Sequence, residues 1–270
     1  MDRMSSIDWL EVLESIACDV RTHLNRVSRN PDAYIVVGTN SSGDLTRKID
    51  LEAEKTILEG LQRLQIPLYY IGEEISTTMG DEPKTSIVAD CLDGTLNAVS
   101  GIPFFCTSIA VSNTPRMSGV FAGLVMDLCR GDVFVATKNG GASLNGKPIR
   151  VSEITELSDS ILRVSFSHLK DAAGRKLLAL ISRAHHDRHL GSAALELCYL
   201  AAGFYQGFVD IQKKLRPTDL AAAHLIIKES GGIISSPDGH ELDCVLDSKS
   251  RLSIVASCSN KLHQEILDSL

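Results

Sequence analysis

The sequence predicts a mixed α/β protein, α+β in its first half and regularly alternating α/β in its second. Three observations carry this expectation. Apolar residues recur at helical spacing in two early segments, short apolar runs of strand length follow them, and after Val151 helical and strand patterns take turns. The chain has 270 residues, 44% of them apolar and 23% charged, which is ample for one large core or two modest ones and excludes a disordered or fibrous class. Its 20 Gly and 8 Pro leave no collagen period and no low-complexity linker.

Element by element, Trp9, Leu10, Leu13, Ile16, Ala17, Val20, Leu24 and Val27 line one face of a helix over residues 6–28, opened by Ser5 or Ser6 as N-cap. Trp9 on this helix is expected in the core or an interface. A second helix runs from Thr46 to Gln65, and Pro67 closes it. Strands are expected at Leu68–Ile71, Ile87–Ala89, Phe105–Val111, Val120–Met126 and Val133–Ala136, with Asn145-Gly146 as a hairpin turn. Beyond a boundary near 145–155, which divides the chain into halves 1–150 and 151–270, come a strand near Ile161–Phe166 and a helix near Ala172–Ala184. Next are a helix from Ser192 to Ala202, a strand at Gly207–Ile211 and a helix from Pro217 to Ser230, which Gly231-Gly232 ends. Strands near Ile233 and Ile254 precede a closing helix capped by Asn260. His185, His186 and His189 fall between helices and are expected in a solvated loop, with no Cys at ligand spacing.

The net charge is −7, from 34 acidic and 27 basic residues, without the basic stripe that a grip on nucleic acid or an anionic membrane requires. No apolar stretch approaches the roughly 20 residues of a membrane span. Met1–Trp9 lacks the layout of a signal peptide, and seven scattered Cys without a CxxC pair point to reduced thiols, so a cytoplasmic location is expected. An acidic chain binds a phosphorylated metabolite only if something reverses the local sign, for which metal ions held by carboxylates are the usual device.

The chemistry concentrates in Ala89-Asp90-Cys91-Leu92-Asp93-Gly94-Thr95-Leu96-Asn97, where two acids three apart end an apolar strand and Gly-Thr follows at once. Two acids there repel unless a cation or proton stands between them. Gly72-Glu73-Glu74 puts further carboxylates past a strand, and Thr218-Asp219 puts one at a helix start. Oxygen ligands delivered from several element ends suit a hard ion such as Mg²⁺.

These residues, in order with Gly43-Asp44-Leu45-Thr46, Asp50, Ala53-Glu54, Gly191-Ser192-Ala193-Ala194 and Glu229-Ser230-Gly231-Gly232, resemble the inositol monophosphatase family. The arrangement is similar in particular to archaeal-type members that combine inositol monophosphatase and fructose-1,6-bisphosphatase activities. The resemblance implies a layered αβαβα sandwich, a homodimer, a small phosphorylated metabolite as partner, and two or three Mg²⁺ ions, with Mn²⁺ as a substitute. It implies that Glu73, Asp90 and the Leu92 carbonyl hold one metal and that Asp90, Asp93 and Asp219 hold a second. Thr95 with Asp50 would then activate a water, Gly94 and Thr95 would receive the phosphate, and Glu74 would serve a further metal or support the first. Ser192, Ala193, Asp210, Lys213, Lys214 and Arg216 are expected along the substrate pocket, the three cations facing a second phosphate.

Two departures stand out: Cys91 where the family usually has Pro, and Thr218 where it commonly has Trp. Leu92-Asp93-Gly94-Thr95-Leu96 also resembles the end of the haloacid dehalogenase signature, but the nucleophilic Asp of that mechanism would fall on Cys91. Phosphatases of the same fold acting on 3′-phosphoadenosine 5′-phosphate or histidinol phosphate, and a non-catalytic phosphometabolite-binding protein, are the remaining alternatives.

Overall fold

A computed structural model describes residues 7–40, 43–166 and 172–270. Helix α1 (Trp9–Val27) is followed by a short hairpin of β1 (Val36–Thr39) and β2 (Leu45–Arg47), then by α2 (Lys48–Gln62). Next come β3 (Leu68–Ile71), β4 (Ser76–Met79), β5 (Ser86–Asp93), α3 (Thr95–Ser100), β6 (Cys106–Ser112) and β7 (Val120–Asp127). β8 (Val133–Thr137), β9 (Gly141–Leu144) and β10 (Lys147–Pro148) complete an eight-stranded sheet of order β10-β9-β8-β7-β6-β5-β3-β4. The second part runs β11 (Ile161–Val164), α4 (Ala172–Arg183), β12 (His186–Arg188), α5 (Ala193–Ala201), β13 (Gly207–Leu215), α6 (Pro217–Glu229), β14 (Ile233–Ser235), β15 (Leu252–Ser257) and α7 (Asn260–Asp268). Its five-stranded sheet has the order β12-β11-β13-β15-β14.

Three apolar clusters stack these elements into the five αβαβα layers. The stripes of α1 and α2 pack with Ile87, Ala89, Ile109 and Leu124 on one face of the large sheet. α5 and α6 fill the space between the two sheets, meeting Val88, Ala110 and Phe134 on one side and Phe208 and Ile254 on the other. Leu177 and Leu180 of α4 and Leu262 and Ile266 of α7 cover the outer face of the small sheet. Small residues let α6 come close: a Cβ on Gly123 would stand 3.0 Å from the Ala222 Cα. Trp9 is buried, edge-on to Phe121 at 6.5 Å.

Several boundaries differ from the sequence expectation. The N-cap of α1 is Asp8, whose side chain accepts from the Leu10 and Glu11 amides; Ser5 and Ser6 lie outside the described residues. Thr46 belongs to a strand, and α2 begins two residues later. Ser259, not Asn260, caps α7 through its hydroxyl. His186 lies on the edge strand β12 rather than in a loop, paired in parallel with Ile161. Among the described residues no helix is long and apolar enough to cross a membrane, and all seven cysteines are free thiols.

Candidate active site

Asp90 and Asp93 sit three apart on β5, a spacing that puts side chains on opposite faces of a regular strand. The pairing with β6 slips between them: Asp90 lies opposite Ser108 and Asp93 opposite Cys106. That extra residue is a bulge, and it turns both acids toward one cavity. Cys91 lies within the bulge, buried, with Sγ 3.3 Å from the Asp50 carbonyl. After Asp93 the chain turns through Gly94 (φ +96°), a left-handed position where a Cβ would also crowd Phe104 O at 3.1 Å.

Asp90 and Asp93 are each held by one oxygen, leaving the other for the cavity. The Asp90 Oδ1 accepts from the Leu92 amide at 2.9 Å. The Asp93 Oδ2 accepts from Ser192 Oγ and from the Ala194 amide, both at 2.7 Å, at the start of α5. α2 and α6 open in the same way: the Arg47 amide donates to Asp50 Oδ2 and the Arg216 amide to Asp219 Oδ2, each at 2.9 Å. Thr218, where Trp is common, gives its hydroxyl to Asp219 Oδ1 at 3.2 Å. Thr95 Oγ1 stands 3.1 Å from Asp50 Oδ1 and 3.0 Å from the Leu92 carbonyl.

Glu73 reaches the cavity from the turn after β3. The buried Glu54 shapes that turn: its Oε1 accepts from Tyr70 Oη at 3.1 Å and from the Ile75 amide at 3.2 Å. Only a glycine fits at position 72, because a Cβ there would meet Glu54 Oε1 at 1.8 Å. Glu74 accepts from Thr46 Oγ1.

Glu73, Asp90, Leu92, Asp93, Gly94, Thr95, Asp219 and Arg216 line one cavity of about 290 Å³, together with Asp44. Burial, against the attraction of Arg216, pushes the Glu73 carboxyl up to about 8, with Asp219, Glu74 and Asp50 adding repulsion. Burial and then Glu73, Asp219 and Asp93 push Asp90 well above the carboxylate range. Asp93 rises to about 6 through burial and Asp219. Asp50 rises to about 6 through burial, against its bonds to Arg47 and Thr95. Asp219 rises through burial, opposed by Arg216 and Arg251. Among the described residues no three acid, His or Cys side chains are set around one point as ligands; instead Arg216 Nη1 lies 2.6 Å from Glu73 Oε1.

The remaining expected substrate residues do not line this cavity. Ser192 is fully buried and supports Asp93, with Ala193 beside it in the first turn of α5. Asp210 is buried against Arg163 at 3.3 Å. Lys213 and Lys214 are exposed on the irregular end of β13. Arg251, absent from the sequence reading, joins Asp44 at 3.0 Å beside the cavity.

A five-layer αβαβα sandwich with carboxylates gathered where β5 ends and α6 begins defines a phosphatase. The model of the inositol monophosphatase family matches residues 8–270, and the chain belongs to that family. It is 34% identical to a fructose-1,6-bisphosphatase/inositol-1-monophosphatase of Methanothermobacter thermautotrophicus, over 97% of this chain and 96% of the relative. It is 33% identical to a fructose-1,6-bisphosphatase of Pyrococcus furiosus, over 97% of this chain and 98% of that one. A crystal structure of an inositol monophosphatase-fructose 1,6 bisphosphatase superimposes with a TM-score of 0.87 at 28% identity, covering 98% of this chain and all of the other.

Proposed function

We propose that this phosphatase is a Mg²⁺-dependent hydrolase of phosphate monoesters, acting on inositol 1-phosphate, fructose 1,6-bisphosphate or both through attack of water. The observation that carries the reading is the excess of acid: five carboxylates line one cavity, four of them raised by burial and mutual repulsion, and among the described residues the cations that offset them are Arg216 and Arg251. Such a set is stable with all its charges only when cations enter, and its donors are oxygen throughout, which fits Mg²⁺. Glu73, Asp90 and the Leu92 carbonyl would hold one ion, and Asp90, Asp93 and Asp219 the other. Bound there, Mg²⁺ would supply an electrophilic clamp on the phosphate and lower the pKa of the attacking water.

The chain's own residues do the rest. Asp50 Oδ1 takes the Thr95 hydroxyl hydrogen, which leaves the Oγ1 lone pairs to accept one from the attacking water. Asp50 with its carboxyl near 6 is ionised at neutral pH and can receive the proton through Oγ1. Gly94 and Thr95 line the cavity where the phosphate enters. No side chain is required as a covalent nucleophile.

The test is release of inorganic phosphate with Mg²⁺, its loss on chelation, and a single turnover in ¹⁸O-water. Solvent ¹⁸O in the released phosphate is expected. Thr95→Ala should lower kcat by about 10² while leaving Mg²⁺ affinity nearly unchanged. Full turnover in excess chelator, or a trapped aspartyl phosphoenzyme, would overturn the reading.

A further inference from the structure

Antiparallel pairing sets Leu215 of β13 opposite Leu252 of β15. The residue after one and the residue before the other, Arg216 and Arg251, therefore come abreast. Like charges in that position repel unless an anion stands between them. The anion is Asp44, in the turn between β1 and β2: its Oδ2 alone accepts from Arg216 Nη2 and, at 3.0 Å, from Arg251 Nη2. Arg251 is further fixed by Nη1, which donates to the carbonyls of Ser248, Lys249 and Ser250 at 3.1–3.3 Å. Asp44 is half exposed, whereas Arg216 is nearly covered, and both line the catalytic cavity. One carboxylate oxygen thus serves two guanidinium groups. A phosphate, with three terminal oxygens and up to two charges, offers each group its own acceptor.

We propose that Arg216 and Arg251 form the subsite for a second anionic group of the substrate, the distal phosphate of a sugar bisphosphate, and that Asp44 fills this subsite until such a substrate displaces it. The inference rests on the phosphatase reading of the same cavity and adds its specificity. It shifts recognition of the second phosphate from the exposed Lys213 and Lys214 to a cation 35 positions beyond Arg216 in the sequence.

Two measurements on the whole chain test it. Calorimetric binding of fructose 6-phosphate, the product that keeps only the distal phosphate, should weaken about tenfold in Arg251→Met, the scale of a lost charge-assisted hydrogen bond. It should tighten by about threefold in Asp44→Ala, where the internal competitor is gone. The ratio of kcat/KM for fructose 1,6-bisphosphate over inositol 1-phosphate should move in the same directions, with Arg251→Lys falling between wild type and Arg251→Met. Should Arg251→Met fold but leave both readings unchanged, or should Asp44→Ala weaken binding, Asp44 is a strut and the subsite is refuted. A wild type that binds fructose 6-phosphate in this order but releases no phosphate from any ester would sink the hydrolase and leave the subsite standing.

Discussion

Among the described residues, two clusters of buried charge are built on opposite terms. Around Arg163, Glu196 and Asp210 the charges are matched in detail. Arg163 Nε meets Glu196 Oε2 at 2.8 Å and Nη1 meets Asp210 Oδ2 at 3.3 Å, while its guanidinium lies 4.2 Å over the Phe208 ring. The remaining carboxylate oxygens accept from the Leu190 and Gln212 amides. Around Asp90 the match fails, because Arg216 pairs with Glu73 at one edge while the buried acids repel one another. A buried ionic group whose donors and acceptors are all used holds a fold in register. One left with surplus charge is a receptor.

The comparison breaks or sharpens with substitutions on each side. Arg163→Met leaves two carboxylates buried without a cation and should cost about 3–5 kcal/mol of stability, read by urea unfolding. Asp93→Asn and Asp219→Asn should instead lower kcat by at least about 10² with the fold intact, since each removes charge from the receptor and adds no volume. A near-normal rate in either variant, or a stable Arg163→Met, would erase the distinction.

A middle-sized effect is expected in pH. Glu73 near 8 and Glu54 near 7 have carboxyls raised above their unfolded values, so the folded protein binds more protons than the unfolded chain in this range. Their contribution to stability is complete below about pH 4 and is lost as pH rises through these values. In chelator, the unfolding free energy should fall by about 3 kcal/mol between pH 6.5 and 8.5, and Mg²⁺ should recover most of it. His224, lowered by burial to about 4, acts in the opposite sense, chiefly below 6.5, and offsets only a few tenths of a kcal/mol within that window. A flat profile in chelator would mean that burial does not hold these acids protonated.

The smallest effect separates packing from ligation at Cys91. Cys91→Ala removes the contact to the Asp50 carbonyl and a small core volume, worth roughly 1 kcal/mol of stability. Because Mg²⁺ prefers oxygen, kcat should stay within about twofold. A loss of an order of magnitude would make the thiol a participant.

What the sequence made legible follows the range of the forces involved. The stripes of α1 and α2, the runs of β6 and β7 and the acid segment after Ala89 are local patterns, and local patterns can be read. β1, β4 and β12 lie almost wholly on the surface and carry no alternation, so nothing marked them as strands. The bulge that brings Asp90 and Asp93 to one face is a property of pairing with β6, which no run of residues on β5 displays. Asp210 and Arg216 were read by their neighbours in the chain, yet their partners, Arg163 and Asp44, lie 47 and 172 positions away. Arg251 had no signal except the register of two strands.

The matched openings of α2 and α6 have a consequence for descent. Arg47 with Asp50 and Arg216 with Asp219 are the same device, a main-chain amide tied to the acid three residues on, and it secures the start of a helix whether or not hydrolysis occurs. A lineage that abandoned catalysis would still be selected to keep an amide-accepting side chain, Asp or Asn, at both positions for folding. Glu73 and Thr95 make side-chain contacts within the cavity, to Arg216 and to Asp50 and the Leu92 carbonyl, but tie down no helix start by an amide bond of this kind, and are the freer to drift. Retirement of the enzyme would therefore be written first at those two positions, and the persistence of Asp or Asn at positions 50 and 219 would testify only to the architecture.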